Sequence, residues 1–295
     1  MKEVEPSFKF QNISWDDVAK KILRDEGYES RLPDVINIGA KKAGTTALMF
    51  YLKFHPQIQI STHGREVHYF DWYYDKGIKW YESQFNLANK HQLVYEKTPR
   101  YFVTKSAPYN IRKDISGKLR FILCVRDPVS RLISDFHFSK SIRSSRGWRQ
   151  IQTAESETKR LKDEILTAYF LINESSPYVY TSDYATHFHE WLKEFDREQF
   201  WIIENDEMRS DLLGELRKVE AFLGIDPYFT EDMFVQENRC LKRERQLFCP
   251  SLISDKHFPL PTVDEGLEKM LRDYFRPQNK EFERLTGRSY KWTNL

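Results

Sequence analysis

Long apolar runs are missing from this 295-residue sequence, and none approaches the roughly 18–20 residues that a membrane-spanning helix needs. The N-terminal stretch from Met1 to Pro6 also lacks the apolar core of a signal peptide. The sequence therefore indicates either a cytosolic chain or a chain whose leader or membrane anchor is absent from this stretch.

Glycine and proline are scarce, with 11 and 12 residues, which argues against a long flexible linker. The formal net charge is only +2, which argues against a general nucleic-acid binder because such proteins carry a strongly basic surface. Two basic clusters stand out: Lys140, Arg143, Arg146 and Arg149, and Lys242, Arg243 and Arg245. Each cluster can be a solvated face or part of a groove for a polyanion.

The sequence has only three cysteines. Cys124 lies inside an apolar run and is predicted to be a buried strand residue. Cys240 and Cys249 lie in a polar stretch, where they can form a disulfide or supply two ligands of a metal site that has no other ligand nearby in the sequence. A disulfide would indicate an oxidising compartment. Two N-glycosylation sequons, at Asn12 and Asn173, fit a secretory route.

Strand and helix patterns alternate along the chain. Strands are predicted at about 34–38, 93–96, 119–125 and 200–203. Helices are predicted at about 45–54, from 128 onward, and at about 155–172, 183–195, 210–223 and 264–275. This alternation predicts an α/β fold, a single domain with a central, mainly parallel sheet flanked by helices. The ligand of such a sheet binds at the carboxyl ends of its strands.

The segment from Gly39 to Thr46 is the most informative motif of the chain. It follows a short apolar strand and opens a helical pattern. Backbone N–H groups in such a loop and at a helix N-terminus bind phosphate-like anions. A Walker A loop has its lysine directly after the last glycine, whereas Lys42 here precedes Gly44. The loop predicts a phosphate-bearing nucleotide ligand, but not an ordinary ATPase, GTPase or kinase.

Two further strand ends carry polar residues. The run Glu96-Lys97-Thr98-Pro99 follows the second predicted strand, Arg126 follows the third, and Ser134 comes two turns into the next helix. Arg126 and Ser134 can bracket a second phosphate, the alternative being that Arg126 makes only a structural salt bridge. Two anion sites on neighbouring strands suggest a nucleotide with anionic groups at both ends.

Glu66, His68 and Asp71 form a compact titratable group. In an extended chain Glu66 and His68 share a face because side chains alternate. A carboxylate beside a histidine is a candidate general base, although the same pair can be an ordinary surface pair. A metal site has little support because no second His/Asp pair follows at ligand spacing.

Taken together, these motifs resemble the Golgi sulfotransferases, and most closely the heparan sulfate glucosamine 3-O-sulfotransferase family. The segments that carry the resemblance are, in order, Leu32 to Leu48, His55-Pro56, Glu66 to Trp72, Tyr95 to Pro99, Arg126 to Arg131 with Ser134, and Leu285 to Trp292. The resemblance implies the P-loop-like nucleotide-binding fold of sulfotransferases over residues 32–295, with residues 1–31 as an N-terminal lead-in.

The resemblance also implies an enzyme that transfers the sulfuryl group of 3′-phosphoadenosine 5′-phosphosulfate to a glucosamine 3-hydroxyl of heparan sulfate, with no metal. Glu66 would be the base, and Lys42 and Lys97 would neutralise charge on the sulfuryl group and the leaving phosphate. His68 and Asp71 would complete the acceptor side. The donor would be bound by Lys41, Lys42, Ala43, Gly44, Thr45, Thr46, Arg126, Ser134 and Lys256. The acceptor would be bound by Arg65, Arg100, Lys140 and Arg143.

By the same resemblance, Cys240 and Cys249 would form a disulfide. The protein would be a glycoprotein of the Golgi lumen or a secreted one, with any native anchor outside this stretch and no nucleic-acid partner. Ala43 and Thr46 stand where the 3-O enzymes usually have glycine and arginine, and the loop 249–259 lacks their glycine. These departures leave two alternatives open: a sulfotransferase with another glycan or small-molecule acceptor, and a non-catalytic heparin-binding protein.

Overall fold

A sheet of five parallel strands in the order β2-β3-β1-β4-β5 forms the centre of the computed structural model. The structure describes residues 15–64, 66–115, 117–145, 154–235, 240–243, 246–249 and 263–295. The strands of this sheet are β1 (Val35–Gly39), β2 (Ile58–Ile60), β3 (Leu93–Lys97), β4 (Arg120–Val125) and β5 (Phe200–Glu204). The predicted α/β fold with a mainly parallel sheet is therefore confirmed.

Helices connect these strands and cover the sheet. They are α1 (Trp15–Asp25), α2 (Thr45–Leu52), α3 (Ile78–Glu82), α4 (Ala107–Asp114), α5 (Pro128–Ser145), α6 (Ala154–Ile165), α7 (Pro177–Ser182), α8 (Tyr184–Leu192), α9 (Asn205–Ser210), α10 (Leu212–Leu223) and α11 (Glu265–Thr286). Among the residues described, no helix has the length and apolar composition to cross a bilayer.

The central strands are apolar because both of their faces are covered. All residues of β1 are buried, and so are residues 121–125 of β4. Val35 of β1 pairs with Tyr95 on one side and Arg120 on the other, so β3, β1 and β4 run in register. Their carboxyl ends therefore meet at one edge of the sheet, which is where α/β proteins bind ligands.

Two helices differ clearly from their predicted bounds, and one strand of the main sheet was not predicted. The helix predicted over 155–172 ends at Ile165, because Thr167 Oγ1 accepts the N–H groups of Tyr169 and Leu171 and turns the chain. Helix α11 continues past Pro277 to Thr286, its far half anchored by buried residues such as Phe282. Strand β2 was not predicted, because three residues are too few to show a period.

A small antiparallel sheet follows the main one, made of β6 (Phe234–Val235), β7 (Cys240–Arg243) and β8 (Gln246–Phe248). The disulfide between Cys240 and Cys249 is present and joins β7 to the end of β8, which confirms the predicted pairing. Cys124 is a free thiol with no exposed surface, as predicted for a buried strand residue.

Candidate functional site

The loop between β1 and α2 turns at Gly44, where the backbone conformation and the crowding both favour glycine. Gly44 has φ of 99°, and a Cβ there would come within 2.6 Å of Nδ2 of Asn205. That amide donates to the carbonyl oxygen of Ala43 at 3.3 Å, so a side chain at residue 44 would also displace Asn205. Helix α2 then begins at Thr45, and within the described chain no side chain caps it. Its first backbone N–H groups can therefore bind an anion.

The buried side chain of Arg131, on α5, holds this loop in place through hydrogen bonds. Its Nη1 donates to the carbonyl oxygen of Lys41 at 3.2 Å and to Asp135 at 2.9 Å. Its Nε donates to Ser182 and its Nη2 to the carbonyl oxygen of Tyr178, each at 2.7 Å. Lys41 Nζ lies 2.8 Å from the same Asp135 carboxylate. The loop is rigidly held, and the charge of Lys41 already has a partner.

Other predicted donor-binding residues line the same edge of the sheet. Lys42 has φ of 68°, and its Nζ lies 4.0 Å from the centre of the Phe138 ring. Arg126 directly follows β4, and the Tyr184 hydroxyl donates to its carbonyl oxygen at 2.9 Å. Ser134 comes two turns into α5. Lys42 and Arg126 thus follow the carboxyl ends of two neighbouring strands, β1 and β4.

The segment bearing Glu66, His68 and Asp71 was expected to be extended, but the chain leaves the extended region at His68. His68 has φ of 57°, in the left-handed region. The three side chains nevertheless meet. His68 Nε2 lies 3.2 Å from Oε2 of Glu66, and its Nδ1 lies 2.9 Å from Oδ2 of Asp71. The backbone N–H groups of Val67 and His68 both donate to Oγ1 of Thr98, at 3.1 and 3.3 Å.

Lys97, the last residue of β3, joins this group to the α2 loop. Its Nζ donates to Oε1 of Glu66 at 2.6 Å and to Oγ1 of Thr46 at 3.4 Å. Burial alone would raise the pKa of Glu66, but the hydrogen bond from His68 and the charge of Lys97 lower it to about 2. Glu66 is therefore ionised at neutral pH and held between two cations.

His68 is held in its charged form. Burial alone would lower its pKa, but its hydrogen bonds and ion pairs with Asp71 and Glu66 raise it to about 9. Its ring stacks on Trp72 with centroids 3.9 Å apart, and Arg100 lies against both Trp72 and the Asp71 carboxylate. Trp72 is 55% exposed, so an apolar face and a guanidinium border the titratable group.

Four predicted site residues lie wholly or with their side chains outside the described residues. Arg65 and Lys256 lie outside the described residues, and so do the side chains of Lys140 and Arg143. The loop 249–259 lies almost wholly outside them as well. The structure therefore brings together the predicted base, its neighbours and the α2 loop, while part of the predicted acceptor side and one donor cation stay predictions.

Several residues of this site were not predicted. Arg131 and Asp135 fasten the α2 loop, and their spacing of four residues on a helix was a usable signal for a pair. Asn205 follows β5 directly, so the rule that ligand sites lie at strand ends could have found it. Glu96 is a carboxylate in a buried strand, which is itself unusual.

Comparison with known proteins connects this geometry to one family. Residues 32–247 match the sulfotransferase domain. The chain is 36% identical over 276 residues to heparan sulfate glucosamine 3-O-sulfotransferase 3A1 of Mus musculus, covering 92% of this chain and 67% of that protein. It is 31% identical over 282 residues to heparan sulfate glucosamine 3-O-sulfotransferase 5 of Homo sapiens, covering 93% and 78%.

The chain thus spans about two thirds to three quarters of the length of these relatives. Among solved structures, a sulfotransferase from Alicyclobacillus acidocaldarius superposes with a TM-score of 0.62 at 18% identity, covering 90% of this chain and 100% of that one. At that identity the likeness supports the fold alone.

Proposed function

The chain belongs to the sulfotransferase family, and to its heparan sulfate glucosamine 3-O-sulfotransferases, and from this premise we propose that it sulfates a glucosamine 3-hydroxyl of heparan sulfate. The observation that carries the proposal is the contact of Lys97 with both Glu66 and Thr46, at 2.6 and 3.4 Å. It joins a carboxylate base to an anion-binding helix N-terminus, the two parts that sulfuryl transfer to a hydroxyl needs.

The proposed donor is 3′-phosphoadenosine 5′-phosphosulfate. The chemistry of the residues fits it, because an open helix N-terminus and several cations suit a dianionic group. When bound, the donor supplies the sulfuryl group and the leaving phosphate. The residues proposed to hold it are Lys41, Lys42, Ala43, Gly44, Thr45, Thr46, Arg126, Ser134 and Lys256. Lys41 would act mainly through its backbone, since Asp135 already neutralises its side chain.

Glu66 is the proposed general base for the acceptor hydroxyl. Beside Lys97 its pKa of about 2 makes it ionised but a weak base. Lys97 Nζ would be attracted towards Thr46 by negative charge on the transferring group. The pKa of Glu66 would then rise, because Lys97 would have moved away, and Glu66 could accept the proton. His68, charged at neutral pH, would keep the carboxylate oriented, and Asp71 would keep His68 charged.

The proposed acceptor is a sulfated polysaccharide chain. Arg100 has an exposed guanidinium beside Trp72, and both border the base, so they can contact an anionic sugar. Arg65, Lys140 and Arg143 are further proposed contacts. Thr46 favours a second candidate, a sulfotransferase with a different hydroxyl acceptor. The 3-O enzymes usually have arginine at this position, whereas Thr46, whose Oγ1 lies 3.4 Å from Lys97 Nζ, is uncharged.

We also propose that the protein works in the Golgi lumen or outside the cell. The Cys240–Cys249 disulfide supports an oxidising compartment, since cytosolic thiols are kept reduced. The sequon residue Asn173 is only partly buried. Mass spectrometry of the protein from its native cells is expected to show an oxidised Cys240–Cys249 pair and glycan on Asn173, and two reduced thiols would contradict an oxidising compartment.

The test of the proposed function compares Glu66→Gln with the wild type. A positioned general base contributes about 10²- to 10⁴-fold, so kcat of Glu66→Gln is expected to fall by at least about 100-fold. Binding of 3′-phosphoadenosine 5′-phosphate, measured by calorimetry, should stay within about twofold.

The matched control for this test is Glu190→Gln, which removes a carboxylate paired with Lys193 at 2.7 Å on the protein surface. Its kcat should equal that of the wild type. Full activity in Glu66→Gln would refute the assignment of the base, and loss of nucleotide binding in it would mean that Glu66 acts on the donor.

A further inference from the structure

A buried carboxylate, Glu96, lies directly beneath the proposed catalytic segment. It has no exposed surface, and neither do Tyr81 and Thr98, whose hydroxyls donate to it at 2.5 and 2.6 Å. The hydroxyl of Tyr101 lies near enough to the same carboxylate to help lower its pKa. Burial raises the pKa of Glu96 to about 7, although these hydroxyls oppose the rise. A buried titratable group of this kind needs a reason to be there.

Two of those hydroxyls also hold the backbone of the catalytic segment. Thr98 Oγ1 accepts the N–H groups of Val67 and His68, at 3.1 and 3.3 Å. The Tyr101 hydroxyl accepts the N–H of Tyr69 at 2.8 Å. Three consecutive backbone N–H groups therefore bind to hydroxyls that also contact Glu96.

The chemistry of a hydroxyl explains why Glu96 matters for these bonds. A hydroxyl has one proton to donate and two lone pairs that accept. Because Thr98 gives its proton to Glu96, both of its lone pairs face the N–H groups of Val67 and His68. Without an acceptor at residue 96, the Thr98 proton would need another partner, and the backbone would lose one of its two acceptor positions.

These bonds hold an unusual backbone conformation at His68. Its φ of 57° is unfavourable for a residue with a Cβ, and such conformations persist where surrounding contacts fix them. With this backbone its two ring nitrogens reach Glu66 and Asp71 at once.

We propose that Glu96 is a positioning residue for the proposed reaction: acting through Thr98 and Tyr101, it fixes the backbone of residues 67–69 and thereby the Glu66–His68 pair. The proposal rests on the proposed function for its catalytic meaning. Its structural part concerns the ring of His68 and can be tested without any activity.

The first measurement is the pKa of His68, obtained by NMR titration of the full chain with labelled histidine. It is made on the wild type, Thr98→Val and Thr98→Ser. Valine has the shape of threonine but accepts no hydrogen bond. Thr98→Val is expected to lower the His68 pKa from about 9 by at least about one pH unit, because the ring loses its alignment with Asp71. Thr98→Ser keeps the hydroxyl and should keep the wild-type pKa.

Two further variants separate positioning from general damage. Tyr81→Phe removes a hydrogen bond to Glu96 but none to the catalytic segment, so the His68 pKa and kcat should stay close to wild type. Glu96→Gln can accept fewer hydroxyl protons, and it should lower the His68 pKa as Thr98→Val does. It also serves as the second variant if Thr98→Val fails to fold.

The kinetic measurement uses transfer from 3′-phosphoadenosine 5′-phosphosulfate to heparan sulfate. Thr98→Val and Glu96→Gln should lose at least about 30-fold in kcat, with the donor KM within about twofold, because the donor loop is untouched. A folded Thr98→Val with wild-type His68 titration and wild-type kcat would overturn the proposal. If the wild type transfers nothing, the proposed function fails, and the NMR titration still decides whether Glu96 and Thr98 position His68.

Discussion

Replacement of Asp71 by asparagine tests whether the carboxylate pair keeps His68 charged. The pKa of His68 is raised from 6.5 to about 9, and Asp71 Oδ2, 2.9 Å from Nδ1, is the nearest carboxylate oxygen. An adjacent opposite charge is worth about 1–3 pH units in a pKa. Because Glu66 remains in Asp71→Asn, we expect the His68 pKa to fall by about 1–2 units, as measured by NMR titration.

The same change alters how stability depends on pH. The folded-state pKa of His68 lies above its unfolded value, so its stabilising contribution is complete below pH 6.5 and is lost as pH rises through about 9. At 1.36 kcal/mol per pH unit, discounted for solvent screening, Asp71→Asn should cost about 1–2 kcal/mol at pH 6. The difference from wild type should shrink above pH 9.

Urea unfolding at pH 6 and pH 10 measures this difference. The control is Asp75→Asn, which removes an exposed carboxylate of the same segment and should leave both stability and the His68 pKa unchanged. The reasoning is refuted if the His68 pKa in Asp71→Asn stays at about 9, or if the stability difference is equal at the two pH values.

Three other changes have expected outcomes. Lys97→Met removes the cation that helps to lower the pKa of Glu66, so the acidic limb of the kcat/KM profile should move to higher pH; an unmoved limb would mean that Glu66 is not the base. Gly44→Ala should weaken binding of 3′-phosphoadenosine 5′-phosphate at least about tenfold by calorimetry, since its Cβ would displace Asn205; wild-type affinity would contradict this. Arg131→Met should lower the free energy of unfolding by about 3–5 kcal/mol, because the buried Asp135 carboxylate keeps only the half-exposed Lys41 and two carbonyl oxygens lose their donor; a change below about 1 kcal/mol would argue that the loop is held otherwise.

The sheet was predictable because its strands carry their own signal. A strand buried on both faces must be apolar along its whole length, and 121–125 is such a run. Helix α10 was predicted to end at about residue 223, and it does so because Gly224 takes the left-handed conformation that stops a helix. Helix α11 is longer than predicted. Pro277 is a local signal for the end of a helix, but the tertiary packing of residues such as Phe282 outweighs it.

The site was only partly predictable, for a physical reason. Strand-end rules locate the α2 loop and Lys97, since each follows a recognisable strand. The contact of His68 with both Glu66 and Asp71 depends on a left-handed residue, and a sequence pattern does not reveal positive φ outside glycine. The buried hydroxyls that hold this conformation come from Thr98 and Tyr101, far along the chain, so only the folded structure brings them together.

The most direct test of the central claim is transfer of radiolabelled sulfate from 3′-phosphoadenosine 5′-phosphosulfate to heparan sulfate, followed by disaccharide analysis. The account predicts label on the glucosamine 3-oxygen in the product of the wild type, and none above background with Glu66→Gln. Label at another position of the chain, or no transfer by a protein that binds 3′-phosphoadenosine 5′-phosphate tightly, would contradict it.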